Sequence, residues 1–205
     1  MKLLYQTHSP YARQVLVLAH EVGLADRLEV IHHETSPTRR NEAVFAVNPL
    51  GKVPVLVLDD GLALFDSAVI CDYLDGLHGG RRLIPSSGPP RWLAVRLQAV
   101  AHGISDAGGA VRQETERRPP AYRYEAMRDG QIEKLIAAYD FLEAAPELSD
   151  PLDIGQIALA TALSWIEFRR LPSFRDGRPR LAGWYDSFAG RPSMQATPMA
   201  GEVMD

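Results

Sequence analysis

The sequence predicts a small mixed α/β domain followed by a larger all-helical domain. The first observation is the order strand–helix–strand and then strand–strand–helix, which is complete by about His78. The second is a run rich in glycine and proline at residues 79–90 (GGRRLIPSSGPP), which is typical of an interdomain linker. The third is that no convincing strand signal follows this run. We therefore expect domains at residues 1–78 and 91–205, joined by a linker at residues 79–90.

Composition and charge narrow the class of protein. Apolar residues make up 46% of the chain and charged residues 23%, as in ordinary globular proteins. The net charge of -4 argues against nucleic acid or an anionic membrane as the main partner. The single cysteine, Cys71, excludes an intrachain disulfide and a cysteine-rich zinc site. With no signal peptide and no apolar run of membrane-spanning length, we expect a cytoplasmic protein that binds no metal.

Start and stop signals place the first strand and the first helix. Lys2–Tyr5 is apolar enough to form a strand. Ser9 can cap a helix whose first position is Pro10, and apolar residues recur at helical spacing until Gly23 ends the run. Alternation over residues 28–33 predicts a second strand. These elements together predict a strand–helix–strand unit.

Three further elements complete the first domain. One helical turn is expected within residues 41–45. Apolar runs at residues 55–58 and 62–65 flank an Asp-Asp-Gly turn and predict a hairpin. Asp66 and Ser67 can then cap a third helix.

The second domain is predicted from helical periodicity. We expect helices over residues 91–113, 122–144 and 180–189. Another helix begins at Asp153, whose side chain can cap it while Gln156 reaches back from the third position. The residues that follow are small or apolar nearly all round, which predicts a central buried helix.

The segment at residues 48–58 (NPLGKVPVLVL) joins a loop to an apolar strand, with Pro54 at the junction. Proline has no N–H for a sheet ladder, so it is tolerated at the first residue of a strand. A cis Val53–Pro54 bond would turn the Val53 backbone outward, where a peptide-like ligand can pair with it as an added strand. Since cis is the rarer isomer even before proline, spacing alone favours a trans bond.

Five segments together resemble the glutathione S-transferase family, in particular bacterial members with a serine-type first motif. They are residues 9–13 (SPYAR), 48–54 (NPLGKVP), 65–70 (FDSAVI), 153–160 (DIGQIALA) and 191–193 (RPS). Each segment alone is a weak signal, whereas five in order at suitable spacing are specific. Asp66 stands where many members have glutamate and Gln156 where many have aspartate, and both replacements keep an acceptor.

The resemblance implies a thioredoxin-like domain that binds glutathione, an all-α domain that shapes the electrophile pocket, and a homodimer. It implies a cis bond between Val53 and Pro54, with the Val53 backbone paired to the cysteinyl part of glutathione. Ser67 and the adjacent helix start would receive the γ-glutamyl carboxylate. Asp66 would either meet the ligand's ammonium or cap the helix. Lys52 would bind the glycyl carboxylate, unless it is simply an exposed loop lysine.

Ser9 is the candidate catalytic residue, because a hydroxyl donor at a helix N-terminus favours thiolate over thiol. A hydrogen bond to a charged group contributes about 1.5–3 kcal/mol, equivalent to about one to two pKa units. The alternative is that Ser9 only caps the helix. A neighbouring side chain (Tyr5, Thr7 or Tyr11) or a backbone N–H would then support the thiolate, as the resemblance to some relatives implies. Serine cannot form a mixed disulfide with glutathione, and Cys71 is expected to be a small buried hydrophobe.

The expected function is conjugation of glutathione, as co-substrate, to a small electrophile. Tyr11 and Asp106 are expected to line the electrophile pocket, although a solvated helix face also explains Asp106. Glutathione-dependent isomerisation, dehalogenation or ether cleavage on the same thiolate is a sister possibility. A non-catalytic binding module with a transferase-like fold is the alternative from another class.

Overall fold

The computed structural model describes residues 1–145, 148 and 151–201. Its N-terminal part is built on a four-stranded sheet in the order β2-β1-β3-β4. Strand β1 is parallel to β2 and antiparallel to β3, which is antiparallel to β4. The bounds are β1 Lys2–Tyr5, β2 Glu29–His32, β3 Val55–Val57 and β4 Ala63–Leu64. The predicted strand–helix–strand unit and the following hairpin are confirmed.

Three helices accompany the sheet: α1 Pro10–Glu21, α2 Glu42–Phe45 and α3 Ser67–Asp75. Helix α1 begins as predicted, since the Ser9 Oγ accepts a hydrogen bond from the Ala12 N–H at 3.2 Å. Gly23, just after α1, has a φ of 70°, a conformation that favours glycine. Apolar side chains of α1 and α3 pack on β1 and β3 to form the first core.

The remaining helices are α4 Gly88–Arg112, α5 Glu125–Ala144, α6 Ile154–Phe168, α7 Pro179–Ala189 and α8 Pro192–Gln195. Helix α4 begins inside the segment predicted as a linker and continues into a π-helical turn, Gln113–Arg117. Helix α5 begins three residues later than predicted. The short helix α8 was not predicted, because the Arg-Pro pair was taken only as the end of α7.

A buried glutamate accounts for the delayed start of α5. The Glu114 carboxylate accepts a hydrogen bond from the Tyr124 N–H at 2.9 Å and pairs with Arg118 at 2.9 Å. Tyr124 is therefore the residue that precedes the helix, and the chain before it forms a separate 3-10 turn, Pro120–Tyr122. Glu114 lies on the preceding π-helical turn, so only the folded chain brings this hydrogen bond to the residue that precedes α5.

Helix α6 is the buried centre of the helical part, as predicted, and it packs against both α1 and α4. The Asp153 Oδ1 accepts from the Gln156 N–H at 3.0 Å, which confirms the predicted cap. Gly155 permits the close approach of α4, because a Cβ there would lie 2.6 Å from the Ala94 carbonyl oxygen. The two helices therefore approach each other closely at this position.

The segment between α3 and α4 is tied to α3 by a buried carboxylate. Asp75 accepts hydrogen bonds from the Leu83 N–H at 2.8 Å, the Ile84 N–H at 2.9 Å and the Arg82 Nε at 2.8 Å. Burial raises the pKa of Asp75, but these hydrogen bonds outweigh it and the net pKa is lowered. The domain limits at residues 78 and 91 stay a prediction.

Candidate active site

The strand register brings the loops of interest to one end of the sheet. Leu4 pairs with Val55 and Leu56 pairs with Leu64, so β1 and β4 end where β3 begins. The loops at residues 6–9, 51–54 and 65–67 therefore lie together, and we call this the Ser9 end of the sheet. The six residues predicted for the glutathione site all belong by backbone position to these three loops. They are Ser9, Lys52, Val53, Pro54, Asp66 and Ser67.

The Val53–Pro54 peptide bond is cis, the isomer that the family resemblance implies and that spacing alone disfavoured. Asn48 fixes the loop before it, since its Nδ2 donates to the Lys52 carbonyl at 2.8 Å and its Oδ1 accepts from the Leu50 N–H at 3.0 Å. In the described part of the chain, no backbone hydrogen bond outside helices and strands engages Val53. Its N–H and C=O therefore remain for a peptide-like partner. The Lys52 side chain is exposed.

Ser9 is 9% exposed and caps α1 through its oxygen. A serine hydroxyl has one proton to donate in addition to its acceptor lone pairs. Because the cap uses only a lone pair, capping α1 and donating to a sulfur anion are compatible for the same side chain. The two roles that the sequence presented as alternatives are therefore not exclusive.

The three rival groups are placed less favourably for donation. The Thr7 Oγ1 donates to the Ala200 carbonyl at 2.8 Å, and the Tyr11 hydroxyl donates to the Asp106 carboxylate. Tyr5 lies in the first core, where burial raises its pKa to about 12. Of these four residues, Ser9 is the one that lies at the N-terminus of α1 and also has a hydroxyl proton available for a ligand.

Asp66 and Ser67 begin α3 at the same end of the sheet. The Asp66 Oδ1 accepts from the Ala68 N–H at 3.0 Å, so Asp66 does cap the helix. Its side chain is nevertheless exposed, and the second carboxylate oxygen is available to a cation. Ser67 is buried at the first position of the helix.

A polar contact joins α1 to α4. Tyr11 on α1 donates to Asp106 on α4, so the structure brings together the two residues predicted for the electrophile pocket. Sequence reasoning missed His102, whose ring lies edge-on to Tyr11 at 5.3 Å and whose Nε2 lies 2.8 Å from the Gln14 Oε1. His102 and Asp106 are four residues apart, so both lie on one face of α4. This spacing is the sequence signal that could have placed His102 beside Asp106.

Burial and charge set the protonation of the two rings. Burial, and then the hydrogen bond to Asp106, raise the pKa of Tyr11, so the phenol keeps its proton near neutral pH. Burial lowers the pKa of His102 in spite of the opposing effect of the Asp66 and Asp106 carboxylates, which favours the neutral imidazole.

A second carboxylate group lies beyond the end of β2. Glu34 accepts from the Gln6 Nε2 at 2.6 Å and lies 2.7 Å from the His32 Nε2. It also lies 3.7 Å from the Nε2 of His8, a buried residue whose pKa is lowered by burial. These contacts hold the loop that contains Ser9 against the chain that leaves β2.

Sequence reasoning also missed the role of Arg13, which is 4% exposed where α1 meets the helical part. Its guanidinium donates to the Ser164 Oγ at 2.5 Å, the Met194 carbonyl at 3.0 Å and the Thr197 Oγ1 at 3.3 Å. Arg13 belongs to the first of the five segments, but nothing in that segment identifies its distant partners.

Neither a metal centre nor a reactive thiol is found among residues 1–145, 148 and 151–201. No group of three or more histidine, cysteine or acidic side chains there could hold a metal ion. Cys71 is buried, its Sγ accepts from the Gln14 Nε2 at 3.7 Å, and burial raises its pKa. In the same residues, no helix is long and apolar enough to cross a membrane.

Comparison with known proteins defines the class of protein to which this site belongs. The sequence matches the family described as "Glutathione S-transferase, N-terminal domain" over residues 8–77 and "Glutathione S-transferase, C-terminal domain" over residues 112–187. The chain belongs to the glutathione S-transferase family, which confirms the resemblance and the predicted combination of a thioredoxin-like domain with an all-α domain.

Particular relatives cover nearly the whole chain. The "Uncharacterized GST-like protein YibF" of Escherichia coli is 33% identical over 96% of this chain and 98% of its own length. A glutathione transferase family member from Pseudomonas fluorescens Pf-5, solved with bound glutathione, is 42% identical with a TM-score of 0.94 and covers 98% and 99% of the two chains. A structure from the same bacterium with bound S-(propanoic acid)-glutathione is 42% identical with a TM-score of 0.89, and covers 98% and 100%.

Proposed function

We propose that this protein is a glutathione transferase that binds glutathione at the Ser9 end of the sheet and joins its sulfur to a small electrophile. The observation that carries the proposal is the strand register, which gathers Ser9, the unpaired Val53 backbone and the start of α3 at one end of the sheet. The glutathione-bound relative from Pseudomonas fluorescens, which is similar over nearly its whole length, supports the same ligand for this chain.

Each part of glutathione has a chemically suitable partner in these loops. The cysteinyl N–H and C=O would pair with the Val53 backbone as a short added strand. The γ-glutamyl carboxylate would bind at Ser67 and the N-terminus of α3, and the ammonium at the second oxygen of Asp66. The exposed Lys52 would supply a positive charge for the glycyl carboxylate.

Ser9 would then stabilise the thiolate. Its oxygen is already fixed by the Ala12 N–H, so its proton can point away from α1 toward the ligand sulfur. The N-terminus of α1 adds a positive potential at the same place. In a displacement reaction the thiolate forms the new C–S bond with its electron pair, and the leaving group departs with the pair of the bond that breaks.

We also propose that the protein acts in the cytoplasm and forms a homodimer. Two apolar surfaces on the same chain support pairing of two copies, because large exposed patches mark interaction sites. One, which we call the α3 surface, is a shallow cavity of about 460 Å³ lined by residues including Leu64, Val69, Asp72 and Leu77. The other, the α4–α5 groove, has about 350 Å³ and is lined by residues including Arg96, Val100, Lys134 and Phe141.

The proposed pairing places the α3 surface of one copy in the α4–α5 groove of the other. The pairing rests on the apolar residues of the two surfaces, because Asp72 on the α3 surface already pairs with Arg82 of the same surface at 3.2 Å. The test is the mass of the protein in solution by light scattering. Val69→Asp should release monomers, while Val30→Asp, a comparably exposed valine on β2, should not. A monomeric parent protein would contradict the pairing.

Two measurements test the glutathione proposal itself. Calorimetry should show that glutathione binds, and the bound thiol should titrate as a thiolate below the range of free glutathione. Turnover of a halonitroarene then distinguishes an enzyme from a binding module. Lys52→Ala should weaken binding, whereas Lys2→Ala at the opposite end of β1 serves as the matched control. Absence of any binding would overturn the proposal.

A further inference from the structure

We propose that the electrophile pocket selects substrates that present a hydrogen-bond donor or a positive charge beyond the reacting atom, and that Asp106 makes this selection. The inference rests on the proposed glutathione site and adds the chemical class of the second substrate. Its basis is the contact between Tyr11 and Asp106, which joins the first turn of α1, two residues from Ser9, to α4.

The hydroxyl protons around Tyr11 and Asp106 are donated within the protein. The Tyr11 hydroxyl donates its only proton to Asp106, and the His102 carbonyl lies 3.4 Å from the same oxygen. The neighbouring Ser105 hydroxyl donates to the Ala101 carbonyl at 3.2 Å, and a hydrogen bond from Ser105 to Tyr11 also partly offsets the rise in the pKa of Tyr11. What Tyr11 and Asp106 can still offer a ligand is lone pairs on the phenol oxygen and on the second carboxylate oxygen.

His102 lies beside Tyr11 and is on the same helix as Asp106. Its Nε2 lies 2.8 Å from the Gln14 Oε1, while the Gln14 Nε2 donates to the Cys71 Sγ. An amide oxygen is an acceptor, so Nε2 carries the imidazole proton and Nδ1 is left with a lone pair. His102, whose neutral form is favoured by burial, therefore adds another acceptor beside Tyr11 rather than a donor.

Two carboxylates determine the charge around Tyr11 and His102. The charged groups that act on the His102 ring are the carboxylates of Asp66 and Asp106, and both also act on Tyr11. The ammonium of bound glutathione would offset Asp66, which leaves Asp106 as the uncompensated charge on the electrophile side. A substrate carboxylate placed beside Asp106 would meet a like charge, whereas an amino or hydroxyl group would meet acceptors. The relative solved with S-(propanoic acid)-glutathione holds a thioether that carries a carboxyl group, and we expect this chain to bind such a thioether less tightly than an amino-bearing one.

A series of glutathione thioethers isolates this part of the pocket, because all members share the glutathione moiety. The probes are S-propyl-, S-(2-hydroxyethyl)-, S-(2-aminoethyl)- and S-(carboxymethyl)glutathione, with dissociation constants from calorimetry at low salt. We expect the aminoethyl probe to bind about tenfold more tightly than the carboxymethyl probe, since a charged hydrogen bond at a partly exposed site lies at the low end of its range. The hydroxyethyl probe should bind more tightly than the propyl probe.

Three variants assign the selection to its source. Asp106→Asn should bring the aminoethyl and carboxymethyl constants to within about threefold of each other, because the charge is removed while the shape is kept. Tyr11→Phe should preserve the preference for the aminoethyl probe, because the carboxylate remains. Asp129→Asn is the matched control, an exposed helical aspartate that pairs with Arg128 on α5.

The outcomes separate this inference from the glutathione proposal. Equal binding of the two charged probes, or an unchanged ratio in Asp106→Asn, overturns the selection by Asp106. The same conclusion follows if glutathione binds but none of the thioethers does, since the space beyond the sulfur is then closed. If glutathione itself fails to bind, the glutathione proposal falls first and this inference with it.

Discussion

Helices α1 and α6 pack against each other and begin with the same local chemistry, yet their starts differ in what they offer. The Ser9 Oγ accepts from Ala12 N at 3.2 Å, and the Asp153 Oδ1 accepts from Gln156 N at 3.0 Å. Ser9 lies at the end of the sheet, and its hydroxyl keeps a proton to donate. Asp153 lies against the segment after α3, where the Ile154 N–H donates to the Leu83 carbonyl at 3.0 Å.

The difference shows that a helix cap becomes a candidate catalytic group through its surroundings and its chemistry together. An ionised aspartate cap is an acceptor only, so it would repel a thiolate, whereas a serine cap can donate to one. Burial also raises the pKa of Asp153 against the hydrogen bonds that stabilise its ionised form. The following predictions separate a cap that supports chemistry from one that supports only the fold.

The largest expected effect is that of Ser9→Ala on chemistry. Loss of the hydroxyl donor should raise the pKa of bound glutathione by about one to two units and lower kcat/KM at neutral pH by about ten- to hundredfold. The dissociation constant of glutathione should change little, because Val53, Asp66 and Ser67 remain. Ultraviolet titration of the thiolate checks this, with Ser9→Thr as a control that keeps a hydroxyl. A variant that titrates like the parent would limit Ser9 to capping.

The opposite end of α1 should affect the fold and not the thiolate. Glu21 accepts from the Arg191 Nε and Nη2 at 2.8 Å each and from the Ser193 Oγ at 2.5 Å. Because Arg191 is partly exposed, we expect Glu21→Gln to cost about 1–2 kcal/mol of unfolding free energy at neutral pH. Denaturant unfolding measures this loss, and a shift in the thiolate titration would contradict the separation of the two ends.

The same residue predicts a pH dependence. The hydrogen bond from Arg191 is the main cause that lowers the pKa of Glu21 below its ordinary value. A lowered folded pKa contributes stability that is present above the unfolded pKa and is lost as pH falls through the folded pKa. Glu21→Gln should therefore be less sensitive than the parent to acid below the ordinary glutamate range. If the parent and Glu21→Gln lose stability to the same extent as the pH falls, Glu21 is not the source of the acid sensitivity.

Asp153→Ala should destabilise the protein by about 1 kcal/mol, the usual contribution of an N-cap. The pKa of bound glutathione should stay at the value of the parent, since Asp153 caps α6 and not α1. Thermal unfolding, repeated with glutathione present, measures both parts. An unchanged melting temperature would show that the cap contributes nothing to stability. A shifted thiolate titration would show that the Asp153 cap, like the Ser9 cap, affects the bound thiol.

The smallest effect is expected for Asp153→Asn, which keeps an acceptor at the cap and should change the unfolding free energy at neutral pH by only a few tenths of a kcal/mol. Burial raises the folded pKa of Asp153, so the parent's stability from this group is full below the unfolded pKa and declines as pH rises through the folded pKa. Asparagine has no such decline. Identical stability profiles for both proteins across the acidic range would contradict this assignment.

Much of the fold was predictable because its signals are local. The starts of α1, α3 and α6 follow from capping residues and their spacing, and β1 to β4 follow from short apolar runs. The start of α5 and the existence of α8 were missed. For α5 the missing information was the hydrogen bond from the Tyr124 N–H to Glu114, which lies on another element at a sequence separation of 10.

The candidate site was predictable as a set of residues and not as an arrangement. The sequence by itself determined the family, the caps at Ser9 and Asp66, and the proline beside Val53, since each depends on residues close together in the chain. Only the tertiary structure decided which of the candidate hydroxyl groups already donates its proton to another part of the chain. Thr7 donates to Ala200, 193 residues away, and Tyr11 to Asp106, 95 residues away. Such pairings depend on how α1 packs against distant elements, and periodicity along the chain carries no information about them.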